Sequence, residues 1–364
     1  MGSGISQSGV ASASPVTSVG KLGSARAGAA RRRLVNVGLA VLLVLCFFFS
    51  ICLGRYEITP LEAVQIVFGL LTGNVADLDP IKVNVVQAVR LPRILMSILV
   101  GGALSAAGCT FQAIFGNPLV SPDILGVSSG AGFGAALGIL VSGSVLVIQG
   151  FALGFGLISV ALVVMMGRVQ QRTQLYMLVL AGVIVTALFN AFTSIIKYVA
   201  DPFSKLPVIT TWLMGSMANA SYRELAIQAA ITLPCILVLV ALRWKLNLLS
   251  LDEEEARSLG VNVGRLRMVA IVVATLLTAT SVSMCGIVGW VGLVMPHVGR
   301  MLVGNDHRVL MPAAVLLGAA YLLLIDNISR SVAGVEIPIS ILTAVVGAPF
   351  FAWLLRRTGK QKKD

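Results

Sequence analysis

The sequence predicts an all-α polytopic membrane protein of about ten transmembrane helices, because low-charge apolar runs of about 20 residues recur along it. Hydrophobic residues make up 57% of the 364 and charged residues 12%, roughly half the charge of a soluble domain. The 37 glycines suit helices that must approach closely in lipid, where no hydrophobic force draws them together. The formal net charge of +12 would also suit nucleic acid, but position decides. With both termini cytoplasmic, most of the 27 basic residues fall in inside segments, so the charge orients the chain and implies no nucleic acid.

Residues 1–33 are rich in Ser, Gly and Ala, lack an apolar period and end in Arg31-Arg32-Arg33. They read as a disordered, basic cytoplasmic tail. A membrane domain follows over 34–357, and 358–364 form a second cytoplasmic tail. Its first span, 34–54, exceeds a signal-peptide core and has no clear cleavage site, so it is expected to remain. Residues 55–90, with Glu57, Glu62, Asp77 and Asp79, form the longest outside segment. "RLPR" (90–93) opens span 91–112, where Pro92 starts a helix without wasting an amide. "GNPLVSPDILG" (116–126) is a turn-rich inner loop. Gly134/Gly138 on span 123–142 and Gly150/Gly154 on span 147–167 are expected helix-packing pairs. A short inner connection, 167–176, contains Thr173 and Gln174.

Beyond span 176–199, residues 201–222 are too polar and proline-broken to cross. They suggest a short surface or re-entrant helix on the outside, with Trp212 at the interface. Spans 225–243 and 267–285 flank an inner loop. Span 287–303 lies in "CGIVGWVGLVMPHVGR" (285–300), broken by Gly286, Gly289, Gly292 and Pro296. Broken helices persist in membranes where they are buried in protein or line a cavity, so this stretch is a pathway candidate. Spans 308–327 and 337–356 complete the set. The five cysteines lie in apolar spans without C-x-x-C pairing and read as buried free thiols.

The inner loop "SLDEEEARSLGVNVGRLR" (250–267) gathers Asp252, Glu253, Glu254 and Glu255 from only 15 acidic residues. Acids in a helix's first turn complement its dipole, and Gly260 stands where a C-terminal cap belongs. Gly264 is expected to break a second short helix before Arg265 and Arg267 return to the interface. A plain solvated loop needs none of this order, and Leu251, Ala256, Leu259 and Val261 offer apolar contact. A cytosolic partner is expected to dock there.

Several stretches, in the right order, resemble the FecCD-type permeases, the membrane subunits of type II ABC importers for iron siderophores, haem and cobalamin. They are "RLPRILMSILVGGALSAAGCTFQAIFGNPLVSPDILGVSSGAG" (90–132), "EARSLGVNVGRLR" (255–267), "GIVGWVGLVMPHVGRMLVGNDHRVLMP" (286–312) and "EIPISILTAVVGAPFFAWLL" (336–355). The resemblance covers about residues 35–357. It implies a bundle like that of the cobalamin importer permease, with spans 2–5 and 7–10 as repeat-like halves. It also implies a second permease subunit, identical in the expected homodimer. A cytosolic ATP-binding subunit would bind each copy, and an extracytoplasmic binding protein would deliver the substrate.

Carried onto this sequence, the resemblance makes 250–267 the ATPase-coupling loop. Its residues are Leu251, Asp252, Glu253, Glu254, Glu255, Arg257, Leu259, Gly260, Val261 and Gly264. Arg90, Arg93 and Arg330 match arginines with which the cobalamin member meets glutamates on its binding protein, a role guanidinium forks suit. Thr173 and Gln174 fall where that member narrows its inner gate. His297, with only His307 for company, reads as structural and not as a metal ligand.

No G-x-x-x-x-G-K-[ST] occurs, so no phosphate cradle is expected. The chain is then a non-catalytic transport subunit without cofactors, and ATP and Mg belong to the partner. Its expected place is the bacterial inner membrane. Transport of a metal chelate by alternating access is the reading, with molybdate also open because relatives carry small oxyanions. A secondary, ion-coupled transporter is the alternative, but the span interiors lack the carboxylates that coupling needs. A membrane enzyme lacks a nucleophile or metal constellation.

Overall fold

The structure, a computed structural model, describes residues 16–360 apart from 55, 77, 170, 171, 174, 251, 252 and 333. Helix α1 (Val16–Cys52) leads to α2 (Pro60–Thr72), α3 (Pro80–Asn84), a π-helical turn (Val85–Arg90) and α4 (Leu91–Phe115). A 3-10 turn (Pro122–Leu125) introduces α5 (Val127–Val141) and α6 (Val145–Met166). The strands β1 (Arg168–Val169) and β2 (Arg172–Thr173) form a tight antiparallel hairpin. Then come α7 (Leu175–Val199), α8 (Lys205–Met214), α9 (Tyr222–Leu246), α10 (Glu253–Ser258), α11 (Val263–Cys285), α12 (Val291–Val303), α13 (His307–Ser331) and α14 (Ile339–Lys360).

Every expected span coincides with a helix, but their lengths differ. Among the described residues, 7 helices are long and apolar enough to cross a membrane, while α5, α12 and the apolar part of α14 are shorter. Two boundaries are corrected. Helix α1 reaches back to Val16, because Ala and Arg between residues 24 and 33 are strong helix formers that extend the span's own helix. The expected disordered tail is therefore helical over 16–33, and residues 1–15 lie outside the described residues. Pro92 also does not open its helix. One continuous helix runs from Pro80 to Phe115, and its π-helical turn at Val85–Arg90 widens the ladder just where Pro92 cannot donate.

The two halves share a pattern. Helices α4 to α7 have 25, 15, 22 and 25 residues, and α11 to α14 have 23, 13, 25 and 22. Packing obeys the same exchange: α4 lies on α12 and α13, as α11 lies on α5 and α6. Helices α4 and α11 also pack together at the centre. Nearly every side chain of α4 from Val100 to Ile114 is buried.

The central packing depends on missing side chains. Gly101 meets Gly318 of α13, and Gly108 meets Gly292 of α12, backbone against backbone, so closely that a Cβ would overlap a main-chain atom. Such seams gain dispersion and leave no room for lipid. Gly134 meets the backbone of Phe151 and Gly138 that of Ile148, as expected of a packing pair. Gly150 and Gly154 instead face open space, so their spacing on α6 carries no such contact.

Candidate functional site

Polar side chains gather at the two opposite ends of the bundle. At one end, the N-terminus of α4 meets the C-termini of α1 and α13. Arg93 donates from Nε to both carboxylate oxygens of Asp326 at 3.0 Å, and from Nη2 to Asp326 Oδ1 at 2.9 Å. It also binds Glu336, with Nη2 3.1 Å from Oε2. Asp326 is fully buried, whereas the Glu336 side chain is 40% exposed. Beside this cluster, buried Arg90 donates to the carbonyls of Ile51 and Tyr56. Arg330 donates to Leu53 O at 3.0 Å, Ser50 Oγ at 2.9 Å and Asn327 Oδ1 at 2.8 Å.

The guanidinium groups of Arg90, Arg93 and Arg330, expected to meet carboxylates of a binding protein, are engaged inside the chain. The physical reason is desolvation. A cation this deep in apolar surroundings must take every acceptor within reach. For Arg93 those acceptors are Asp326 and Glu336, and for Arg90 and Arg330 they are main-chain carbonyls with Ser50 and Asn327. Arginines at the start of an apolar helix were the signal that carboxylates had to be near.

At the other end, the C-termini of α4 and α12 meet the N-terminus of α13. Gln112 donates from Nε2 to Val120 O and Leu293 O, each at 3.2 Å, and its Oε1 accepts from Arg300. Asn247 donates to Asp306 Oδ1 at 2.8 Å and accepts from the His307 amide at 2.9 Å. Asp306 caps α13 through the Arg308 amide at 3.0 Å. Burial raises the Asp306 carboxyl, but donation from Arg308 and Asn247 and the charges of Arg308 and Arg32 outweigh it, leaving it below the usual range. A cleft of about 490 Å³ opens here, lined by Gln112, Asn117, Arg300, Asn305, Asp306 and His307 among others.

The acidic loop lies at this end. Glu253, Glu254, Glu255 and Arg257 fall in α10, while Leu251 and Asp252 lie outside the described residues. Ala256 anchors α10 with its side chain fully buried. Gly260, at φ +75°, ends it in the left-handed region that suits glycine, and the Val261 amide returns to Ala256 O at 3.2 Å. That turn leaves Leu259 59% exposed at the tip of the loop, with Glu255 exposed and Val261 half-buried nearby. Gly264 does not break a second helix, which corrects that expectation. Asn262 accepts from the Arg265 amide at 2.9 Å and caps α11, so Gly264 falls in the first turn, where helical interruption is absorbed. Thr173 is in β2, and Gln174 lies outside the described residues.

The interrupted stretch before α12 is buried, not open. The C-terminus of α8 closes over it: Ser216 N donates to Cys285 O at 2.8 Å, and Ile339 N to Gly215 O at 3.1 Å. Trp290, at φ +70° the non-glycine outlier among the described residues, rests against Gly347 of α14. Next to the break is a cavity of about 560 Å³, lined by Gln149, Thr211, Trp212, Asn219, Ser283 and Met284 among others, none charged. No group of three or more His, Cys, Asp or Glu side chains that could hold a metal occurs among the described residues.

The sequence matches the model of the FecCD transport family over residues 42–357. It is 43% identical over 318 residues to the molybdate import system permease protein MolB of Haemophilus influenzae, covering 87% of this chain and 94% of that protein. It is 37% identical over 281 residues to the hemin transport system permease protein HmuU of Yersinia pestis, covering 75% of this chain and 84% of that protein. A solved structure described as a candidate metal-chelate type ABC transporter, inward-facing, matches with a TM-score of 0.81 and 41% identity. That match covers 89% of this chain and 99% of the other.

Proposed function

This chain belongs to the FecCD transport family as an ABC importer permease, and from that premise we propose that it carries a metal chelate inward by alternating access. The observation that carries this reading is the uncharged cavity of about 560 Å³. Its volume suits a drug-sized or larger guest. Walls of indole, thioether, hydroxyl and amide suit a chelate whose charge is shielded by its own ligands, and a bare ion would find no counter-charge there. The kinship with permeases named for hemin transport supports it. A second reading, molybdate as cargo, rests on the 43% identity with the permease named for molybdate import.

The driving subunits would be two copies of a cytosolic ATPase, one beneath each of two identical permeases in a bacterial inner membrane. Leu259, exposed at the tip of the acidic loop, would enter an apolar groove on the ATPase while Glu255 and its neighbours pair with basic groups around it. Exposed ion pairs are worth about 0–1 kcal/mol each, so the apolar contact carries docking and the acids select the partner. A binding protein would approach the Arg93 end. Glu336, partly exposed, is the group its carboxylates would displace from Arg93. No ion needs to be coupled, because buried Asp326 is already paired with Arg93.

The test is uptake into vesicles holding the permease, its ATPase and its binding protein. Ferric siderophore, haem, cobalamin and molybdate should be offered separately. Uptake of a chelate that stops with Leu259→Asp, while insertion is unchanged, is the expected result. Uptake of molybdate alone selects the second reading. Uptake driven by an ion gradient without any ATPase overturns both.

A further inference from the structure

The Arg300 end has a feature that transport by chelate capture does not use. Arg300 is half-buried, and among the described residues it has no carboxylate partner. Its one hydrogen bond there is to Gln112 Oε1, a neutral oxygen. Arg90 and Arg330 also lack a carboxylate within bonding distance, but each donates to two main-chain carbonyls, although Arg330 Nε is left without a partner. Among the described residues no other protein acceptor takes the remaining Arg300 donors, and the side chain lines the cleft.

Several of the cleft's other acceptors are already engaged. Gln112 is fixed by two donations to carbonyls, so its oxygen holds the guanidinium in one pose. Asn117 Oδ1 takes the Leu119 amide at 2.9 Å, which leaves its NH₂ as the free function. Asp306 Oδ1 is occupied by Asn247 and by the Arg308 amide, and Arg308 offsets its charge. The cleft of about 490 Å³ is thus lined by a pre-oriented guanidinium, by Asn117 and Asn305, and by Asp306, whose Oδ1 is engaged. A planar fork beside amide donors matches a tetrahedral oxyanion.

We propose that this cleft is an oxyanion site, with Arg300 as its principal ligand. The guest is a phosphate-like group, either a free oxyanion or the phosphodiester of an anionic lipid headgroup. The site is separate from the uncharged cavity, and it stands whether the cargo is a chelate or molybdate.

The experiment uses the full chain purified in an uncharged detergent, and reads the midpoint of thermal unfolding. One arm compares chloride with phosphate, sulfate and molybdate at matched ionic strength. The other compares phosphatidylcholine nanodiscs with and without phosphatidylglycerol. A saturated site should raise the wild-type midpoint by about 2–4 °C, and Arg300→Gln should abolish that rise. Arg300→Lys, which keeps the charge but loses the fork, should retain only part of it, and serves if Arg300→Gln folds poorly. A rise in the first arm identifies a free oxyanion, and one confined to the second identifies a headgroup. Equal responses of wild type and both variants in both arms overturn the proposal.

Discussion

Arg93 and Arg300 occupy opposite ends of one bundle and meet the cost of burial in opposite ways. Arg93 holds two carboxylates, one of them fully buried, and its fork is filled. Arg300 holds one neutral amide oxygen and faces a cleft. The first is a closed structural unit joining α4 to α13 and to the segment before α14. The second is incomplete by the same physics, since a desolvated guanidinium without an acceptor is tolerated only where something else supplies one. Buried charge by itself therefore says little about role, and the inventory of partners says a great deal.

The largest expected effect comes from breaking the closed unit. Arg93→Met strands Asp326 in the interior and should cost about 3–5 kcal/mol, whereas Arg93→Met with Asp326→Leu should recover most of it. Denaturation in detergent measures both, and a neutral single variant would dissolve the contrast. Arg300→Met should cost less, about 1–2 kcal/mol, because it removes one charge-assisted bond and relieves an unpaired cation. A loss equal to that of Arg93→Met would mean Arg300 has an acceptor that the contrast denies it.

Glu336→Gln sharpens the contrast within the first site. Its half of the network is exposed, so the cost should be at most about 1 kcal/mol, and access of a binding protein to Arg93 should improve. The smallest effect lies outside both clusters. The Glu62 carboxyl, bonded to Lys82 and to Thr59, is lowered to about 2. A depressed carboxyl contributes above its unfolded pKa of about 4.3 and loses that contribution as pH falls toward 2. Protection factors of the α2 amides should fall over that window in wild type and not in Glu62→Gln.

Hydropathy located each of the expected spans, since apolar length is a local property, but α2 and α3 within 55–90 were not foreseen. The long-short-long-long order of both halves was not legible, since span 123–142 reads at about the same length as its neighbours while its helix has 15 residues. Two kinds of feature escaped. The π-helical turn before Pro92 has no composition of its own. The contact between Arg93 and Asp326 spans 233 residues of chain, so the local motif that set Arg93 apart had no view of what neutralised it. The acidic loop was legible in outline, through Gly260 and its acids. The burial of Ala256, which turns Leu259 outward, required the packed helices.

The seams at Gly101–Gly318 and Gly108–Gly292 carry one more consequence. Two surfaces joined through side chains slide by exchanging rotamers, each step small. Where carbonyl meets Cα there are no rotamers to exchange, so α4, α12 and α13 form a keel that moves whole or not at all. A side chain added at Gly101, Gly108, Gly292 or Gly318 would meet main-chain atoms, which have no rotamer through which to yield.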